Sequence, residues 1–259
     1  MLFNQNTFLG IDPTAGKRPL TFIALDQNLH ILTIGHGSLE EALAFIAGQS
    51  RAVIAVCSPS RTNMGLMKQE EIRQKLSPPP RLGRWTNYRV AEYQLRRMHI
   101  NIPYTPSEEK DCPRWMKIGF KIFQRIKKMG YKAFPSDEAA NQYLEVYPHA
   151  CYTALLEKNP YPKQSIEGRL QRQLLLYENN INVTDPMRFL EEITRHRIIT
   201  GSLPMDFILS PEELDALIAA YTAWWVINKP DKYTSVGDPQ EGLVFIPVAE
   251  LKSRYQPAK

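Results

Sequence analysis

Apolar and polar positions alternate in short blocks at the start of the chain. Residues 7–12, 20–25 and 29–34 each read as strands, with Asp26-Gln27-Asn28 as the turn between the last two, which predicts an antiparallel meander. Ser38 with Glu41 three residues on is a capping-box signature, and Leu39, Leu43 and Ile46 then recur on one helical face. The run from Ala52 to Cys57 is continuously apolar, as in a strand buried on both faces. The predicted order is therefore β-β-β-α-β.

Periodicity breaks down over residues 58–113, where Pro78, Pro79, Pro80, Pro103 and Pro106 sit among many arginines, and this predicts a surface insertion with one short helix over 89–98. Residues 114–129 restore a helix. Trp115, Ile118, Ile122, Phe123, Ile126 and Met129 form its apolar face, while Arg114, Lys117, Lys121, Arg125 and Lys128 follow at helical steps as a basic stripe toward solvent. Residues 142–147 read as a short strand stopped by Pro148, with helices over 149–157 and 165–178. Asp185-Pro186 and Ser210-Pro211-Glu212-Glu213 mark two more helix starts, and 242–248 an edge strand. The pattern predicts a single α/β domain over 1–259, with a mixed sheet flanked by helices and 58–113 inserted after the fourth strand.

Composition, at 43% hydrophobic and 23% charged, is that of an ordinary globular chain. No stretch reaches the roughly 20 apolar residues of a membrane span, and no basic segment followed by an apolar run opens the chain, so a cytoplasmic protein without membrane contact is expected. Cys57, Cys112 and Cys151 lie far apart and form no paired motif, which disfavours a disulfide framework or a zinc site. The net charge of +5 is unevenly spread: residues 58–132 hold 17 basic and 6 acidic side chains, leaving the flanks net acidic.

Three carboxylates stand out. Asp12 ends the first strand, where α/β sheets open toward ligands, although Asp before Pro also starts turns. Glu145 sits inside an apolar strand on one face with Tyr143 and Tyr147, a face that could equally meet solvent. Asp215 is surrounded in sequence by Leu214, Ala216, Leu217, Ile218, Ala219 and Ala220, and a charge in so apolar a helix is costly without a partner or a metal. Converging, the three would suit Mg²⁺ or Mn²⁺ and metal-assisted phosphodiester hydrolysis. The basic middle would hold the phosphate backbone and Trp85, Tyr88 and Tyr93 would stack on bases. Lys163, Arg169 and Arg172 surround a helix start at Ser165 and offer a further phosphate site. The stretch from Gly10 to Arg18 is not a Walker A loop, since it has Ala15 in place of the second glycine and Arg18 after Lys17. No histidine pair has i, i+4 spacing and no G-x-S-x-G is present, so metalloprotease and serine-hydrolase readings lack support.

Gly10-Ile11-Asp12, Glu145-Val146-Tyr147-Pro148, Glu167-Gly168-Arg169 with Arg172, and Leu214-Asp215-Ala216-Leu217 follow one another in a distinctive order and spacing. By these motifs the chain resembles the domain-of-unknown-function family 429, described as predicted nucleases with an RNase H fold, over nearly its whole length. The resemblance implies a five-stranded mixed sheet with its first three strands antiparallel, and a metal-dependent nuclease whose catalytic and metal-binding residues are Asp12, Glu145 and Asp215. One position departs from the family pattern: where members resemble Ile-Asp-Ala-Pro, this chain has Val56-Cys57-Ser58-Pro59, and the thiol of Cys57 is a poor ligand for Mg²⁺. A catalytically degenerate nucleic-acid-binding protein on the same fold is therefore the alternative. A nucleotide-binding protein of the actin and sugar-kinase type is disfavoured by the short chain and its 13 glycines.

Overall fold

The computed structural model describes residues 6–14 and 18–257. Its strands are β1 (Thr7–Asp12), β2 (Leu20–Leu25), β3 (Ile31–Gly37), β4 (Ala52–Val56), β5 (Lys132–Ala133), β6 (Gln142–Val146), β7 (Thr234–Asp238) and β8 (Gly242–Ile246). Its helices are α1 (Leu39–Ala47), α2 (Glu70–Gln74), α3 (Val90–Arg97), α4 (Arg114–Lys128), α5 (Pro148–Leu156), α6 (Ile166–Glu178), α7 (Met187–Glu191), α8 (Arg195–Thr200) and α9 (Pro211–Asn228).

The strands form one mixed sheet in the order β3-β2-β1-β4-β6-β8-β7, with the two-residue β5 beside β6. β1, β2 and β3 make the expected antiparallel meander, while β1, β4, β6 and β8 run parallel. The third strand begins later than its apolar pattern suggests because Leu29 adopts φ 63° in the turn. Eight strands, not five, make up the sheet. The segment expected at the edge, β8, lies inside it, because β7 covers its outer side.

Period-two alternation separates the two faces. Phe8, Val53, Ala55, Leu144 and Val146 pack beneath α9, whose residues are buried almost all round. Leu9, Ile11, Ile54 and Val56 face the other way, toward Leu43 and Ile46 of α1 and Ile122, Phe123 and Ile126 of α4. A helix apolar on every side belongs in an interior. Even so, no helix among the described residues is long and apolar enough to cross a membrane.

Residues 58–113 are less of a surface insertion than their composition suggests. Ala91 and Leu95 of α3 pack with Val236 of β7, Val244 and Ile246 of β8, and Ala150 and Ala154 of α5, so this segment seals the far end of the sheet.

Gly10 sets the distance between β1 and α9. A Cβ there would lie 1.9 Å from the carbonyl oxygen of Ala216 and 2.5 Å from the amide nitrogen of Ala220, both helix backbone. Neither atom can rotate away. Gly10→Ala is therefore expected to cost about 3 kcal/mol, at the upper end for overpacking, measured as a lowered denaturation midpoint.

Candidate active site

The close approach at Gly10 brings the start of α9 over the end of β1. Asp12, two residues beyond Gly10, points to the same side of the sheet. Cys57 joins it from β4, its amide donating to the carbonyl of Ile11 at 2.9 Å. Above them Ser210 caps α9 in the expected capping box, with Ser210 N–H to Glu213 Oε2 at 2.6 Å and Glu213 N–H to Ser210 Oγ at 3.2 Å. Asp215 follows within the next turn. Asp12, Cys57, Lys163 and Asp215 line a cleft of about 560 Å³, walled further by Thr14, Trp115, Tyr147 and Pro148.

The electrostatics of this cleft are unusual. Asp12 Oδ1 accepts from the Thr14 amide at 3.1 Å, and the Lys163 ammonium donates to Asp215 Oδ2 at 2.6 Å. Burial, and then the charge of Asp215, push the Asp12 carboxyl up to about 7. Burial also raises Asp215, against the opposing pull of Lys163. The Cys57 thiol is driven up by burial and by both carboxylates, so it stays protonated and donates to the Asp215 carbonyl at 3.4 Å. Among the described residues, the second oxygen of each carboxylate accepts no hydrogen bond. Two neighbouring carboxylates, each with an oxygen that accepts no hydrogen bond among the described residues, fit a hard divalent cation.

Glu145 is elsewhere. It pairs in register with Val56, which pairs with Ile11, so it belongs to the α4 face while Asp12, Cys57 and Asp215 share the α9 face. Its carboxylate is 4% exposed and is held by Arg89 Nη2 at 3.0 Å and the Ser60 amide at 2.8 Å. Arg89 also donates to the carbonyl of Glu241 at 2.5 Å, and Gly242 must be glycine beside it, because a Cβ would lie 2.2 Å from Glu145 Oε1 and 2.4 Å from Arg89 Nη2. The expected cluster of three carboxylates is thus corrected to a pair, Asp12 with Asp215. Among the described residues, no group of three or more His, Cys, Asp and Glu is placed to hold a metal.

The expected nucleic-acid contacts divide similarly. Lys163 lines the cleft, whereas Arg169 is spent on the carbonyls of Ile208 and Leu209, and Arg172 on those of Tyr161 and Gly168. Arg114, Lys121 and Lys128 of the α4 stripe are exposed, while Arg125 pairs with Glu40 and Lys117 donates to the Lys110 carbonyl. The body of α4 packs on the sheet face opposite α9, while its first turn reaches the cleft through Trp115. Trp85 packs against Tyr88 in a tilted contact and against Tyr93 edge-on, at 5.5 and 5.2 Å between ring centroids, so these rings are engaged with one another. The Ala15–Lys17 part of the loop resembling a phosphate site lies outside the described residues.

A family model described as "Protein of unknown function (DUF429)" matches residues 10–242. The chain belongs to the DUF429 family. The DUF429 match runs from β1 to the first residue of β8 and takes in Asp12, Cys57, Arg89, Glu145, Lys163 and Asp215. No curated protein and no solved structure matches the chain. Within this DUF429 chain, sequence reasoning missed Arg89 as the partner of Glu145 and the Arg18–Glu212 ion pair at the cleft mouth. A signal for the first existed: Arg89 immediately precedes α3, with Glu92 three residues on, and its amide donates to Glu92 Oε2 at 3.0 Å.

Proposed function

We propose that this protein is a nuclease, a divalent-metal-dependent phosphodiester hydrolase built on an RNase H-like core. The order β3-β2-β1-β4-β6, antiparallel in its first three strands and parallel thereafter, supports that core, with β8 and β7 as an extension. The observation that carries the reading is the Asp12–Asp215 pair, two mutually repelling, desolvated carboxylates at the open end of parallel strands.

In this reading Asp12 and Asp215 would hold the ion, and the Thr14 amide fixes the rotamer of Asp12. When bound there, Mg²⁺ or Mn²⁺ would supply Lewis acidity toward the phosphodiester and toward water. The Lys163 ammonium neutralises Asp215 and stands where the negative charge of a phosphate would arrive. Cys57, a neutral thiol, fills the wall without adding a ligand.

Cys57 and the engagement of Glu145 by Arg89 favour one second reading, a non-catalytic nucleic-acid-binding protein. Cleavage of labelled single- and double-stranded DNA and RNA with Mn²⁺, Mg²⁺ or EDTA separates the two. Metal-dependent products are expected; binding without products in every metal would select the second.

Both readings give the exposed stripe a role in holding nucleic acid. Lys121→Glu with Lys128→Glu is expected to weaken binding and to flatten the dependence of log affinity on log salt by about 0.9 per lost duplex phosphate contact. An unaltered slope would remove the stripe from the interface.

A further inference from the structure

The cleft does not end at the carboxylates. A second cavity, also of about 560 Å³, adjoins it, and the two share Tyr147, Pro148, Lys163 and Asp215 as a common wall. Each lies in the size range of small-molecule sites, roughly 300–1,000 Å³. Each also carries one aromatic ring without assigned work. Trp115, half-buried at the start of α4, lines the first cavity; Tyr161, 38% exposed between α5 and α6, lines the second. Among the described residues neither side chain makes a hydrogen bond or a ring contact.

We infer that the two cavities form one trough for a single strand of nucleic acid, which crosses the Asp215–Lys163 pair with one base on Trp115 and another on Tyr161. The inference rests on the nuclease reading above and specifies its substrate class. An aromatic face on either side of the reacting position suits two successive unpaired nucleotides. In a duplex the faces of each base are covered by its neighbours, so these rings can be used only by an unstacked strand. Pro103 in the first cavity and Pro160 and Pro162 in the second stiffen the walls, so little order has to be imposed on binding. His149 in the second cavity is held neutral, its pKa lowered by burial to about 4, and so offers a base edge a hydrogen-bonding partner rather than a charge.

Fluorescence anisotropy of end-labelled oligonucleotides in EDTA, where no cleavage occurs, tests this on the full chain. A single strand should bind at least ten-fold tighter than a blunt duplex of the same sequence or a mononucleotide. Trp115→Ala and Tyr161→Ala should each weaken single-strand binding about ten-fold, while Tyr161→Phe, which keeps the ring, should bind like the parent. Tyr161 is exposed enough that its replacement leaves the fold intact, so the test stands even where Trp115→Ala misfolds. Duplex or mononucleotide binding equal to that of the single strand would overturn the trough, as would alanine variants that bind like the parent. In those cases the nuclease reading stands with its substrate elsewhere. Failure of the unaltered protein to bind any nucleic acid would overturn both.

Discussion

Asp12→Asn is expected to abolish metal-dependent cleavage, with a loss of about a thousand-fold or more. A catalytic cation contributes several kcal/mol to the transition state, each 1.36 kcal/mol being a factor of ten, and in the proposed site Asp12 would be one of the two carboxylates that hold it. The same variant has an opposite effect on stability without metal. In the folded protein the Asp12 carboxyl titrates near 7, against an ordinary value of 3.8. A raised acid pKa means that the folded state binds the proton more tightly than the unfolded state. The cost of the buried charge is therefore full above pH 7 and gone below about pH 4. In EDTA at pH 8, Asp12→Asn should melt above the parent, and by pH 5 most of that advantage should have gone. Millimolar Mn²⁺ should raise the melting temperature of the parent alone, because only its folded state binds the ion. Equal Mn²⁺ responses in the two proteins would remove Asp12 from the metal site.

Arg89→Met carries the largest expected stability penalty, about 3–5 kcal/mol, because it removes the guanidinium hydrogen-bonded to the buried carboxylate of Glu145. The pair joins distant segments. Arg89 Nη2 meets Glu145 of β6 and the carbonyl of Glu241 next to β8, while Glu241 Oε2 accepts from the Val90 amide at 3.0 Å. Glu92, in turn, accepts from the Thr105 amide at 3.0 Å. At about 2–4 °C per kcal/mol for a chain of this size, the melting temperature should fall by roughly 6–20 °C. Replacing both partners by apolar residues of similar volume is far cheaper than stranding one. Arg89→Met with Glu145→Leu should therefore recover most of the loss in a denaturant titration. A double variant no more stable than the single would show that the two charges are not coupled.

The sheet's first half was legible because its strands are fully apolar or regularly alternating and its helices carry explicit caps, as at Ser38 and Ser210. In the second half β6 and β8 were legible as short apolar runs, but β7 was not. β7 reads Thr-Ser-Val-Gly-Asp, with one apolar residue, and becomes a strand only because β8 and α3 flank it. Asp12 and Asp215 were readable as local anomalies, a carboxylate ending a strand and a charge in an all-apolar helix. The destination of Glu145 was different in kind. Alternation placed it with Tyr143, but which face that was depended on β4 register and on an arginine 56 residues away, in a stretch without periodicity. Lys163 is likewise joined to Asp215 only by the folded path of the loop before α6.

The position of β8 also has a consequence for biosynthesis. Along its outer edge β6 is paired by β5 over Gln142 and Tyr143 and by β8 over Glu145 and Val146. The first of these partners is made before β6, but the second emerges about a hundred residues later. At 5–20 residues per second, that half of the edge, with the charge of Glu145 beside it, waits roughly 5–20 s on the ribosome for its neighbour. An unpaired strand edge is a template for association with other chains. That edge is closed only when β8 arrives, and the Glu241 carbonyl that completes the contacts of Arg89 arrives with it.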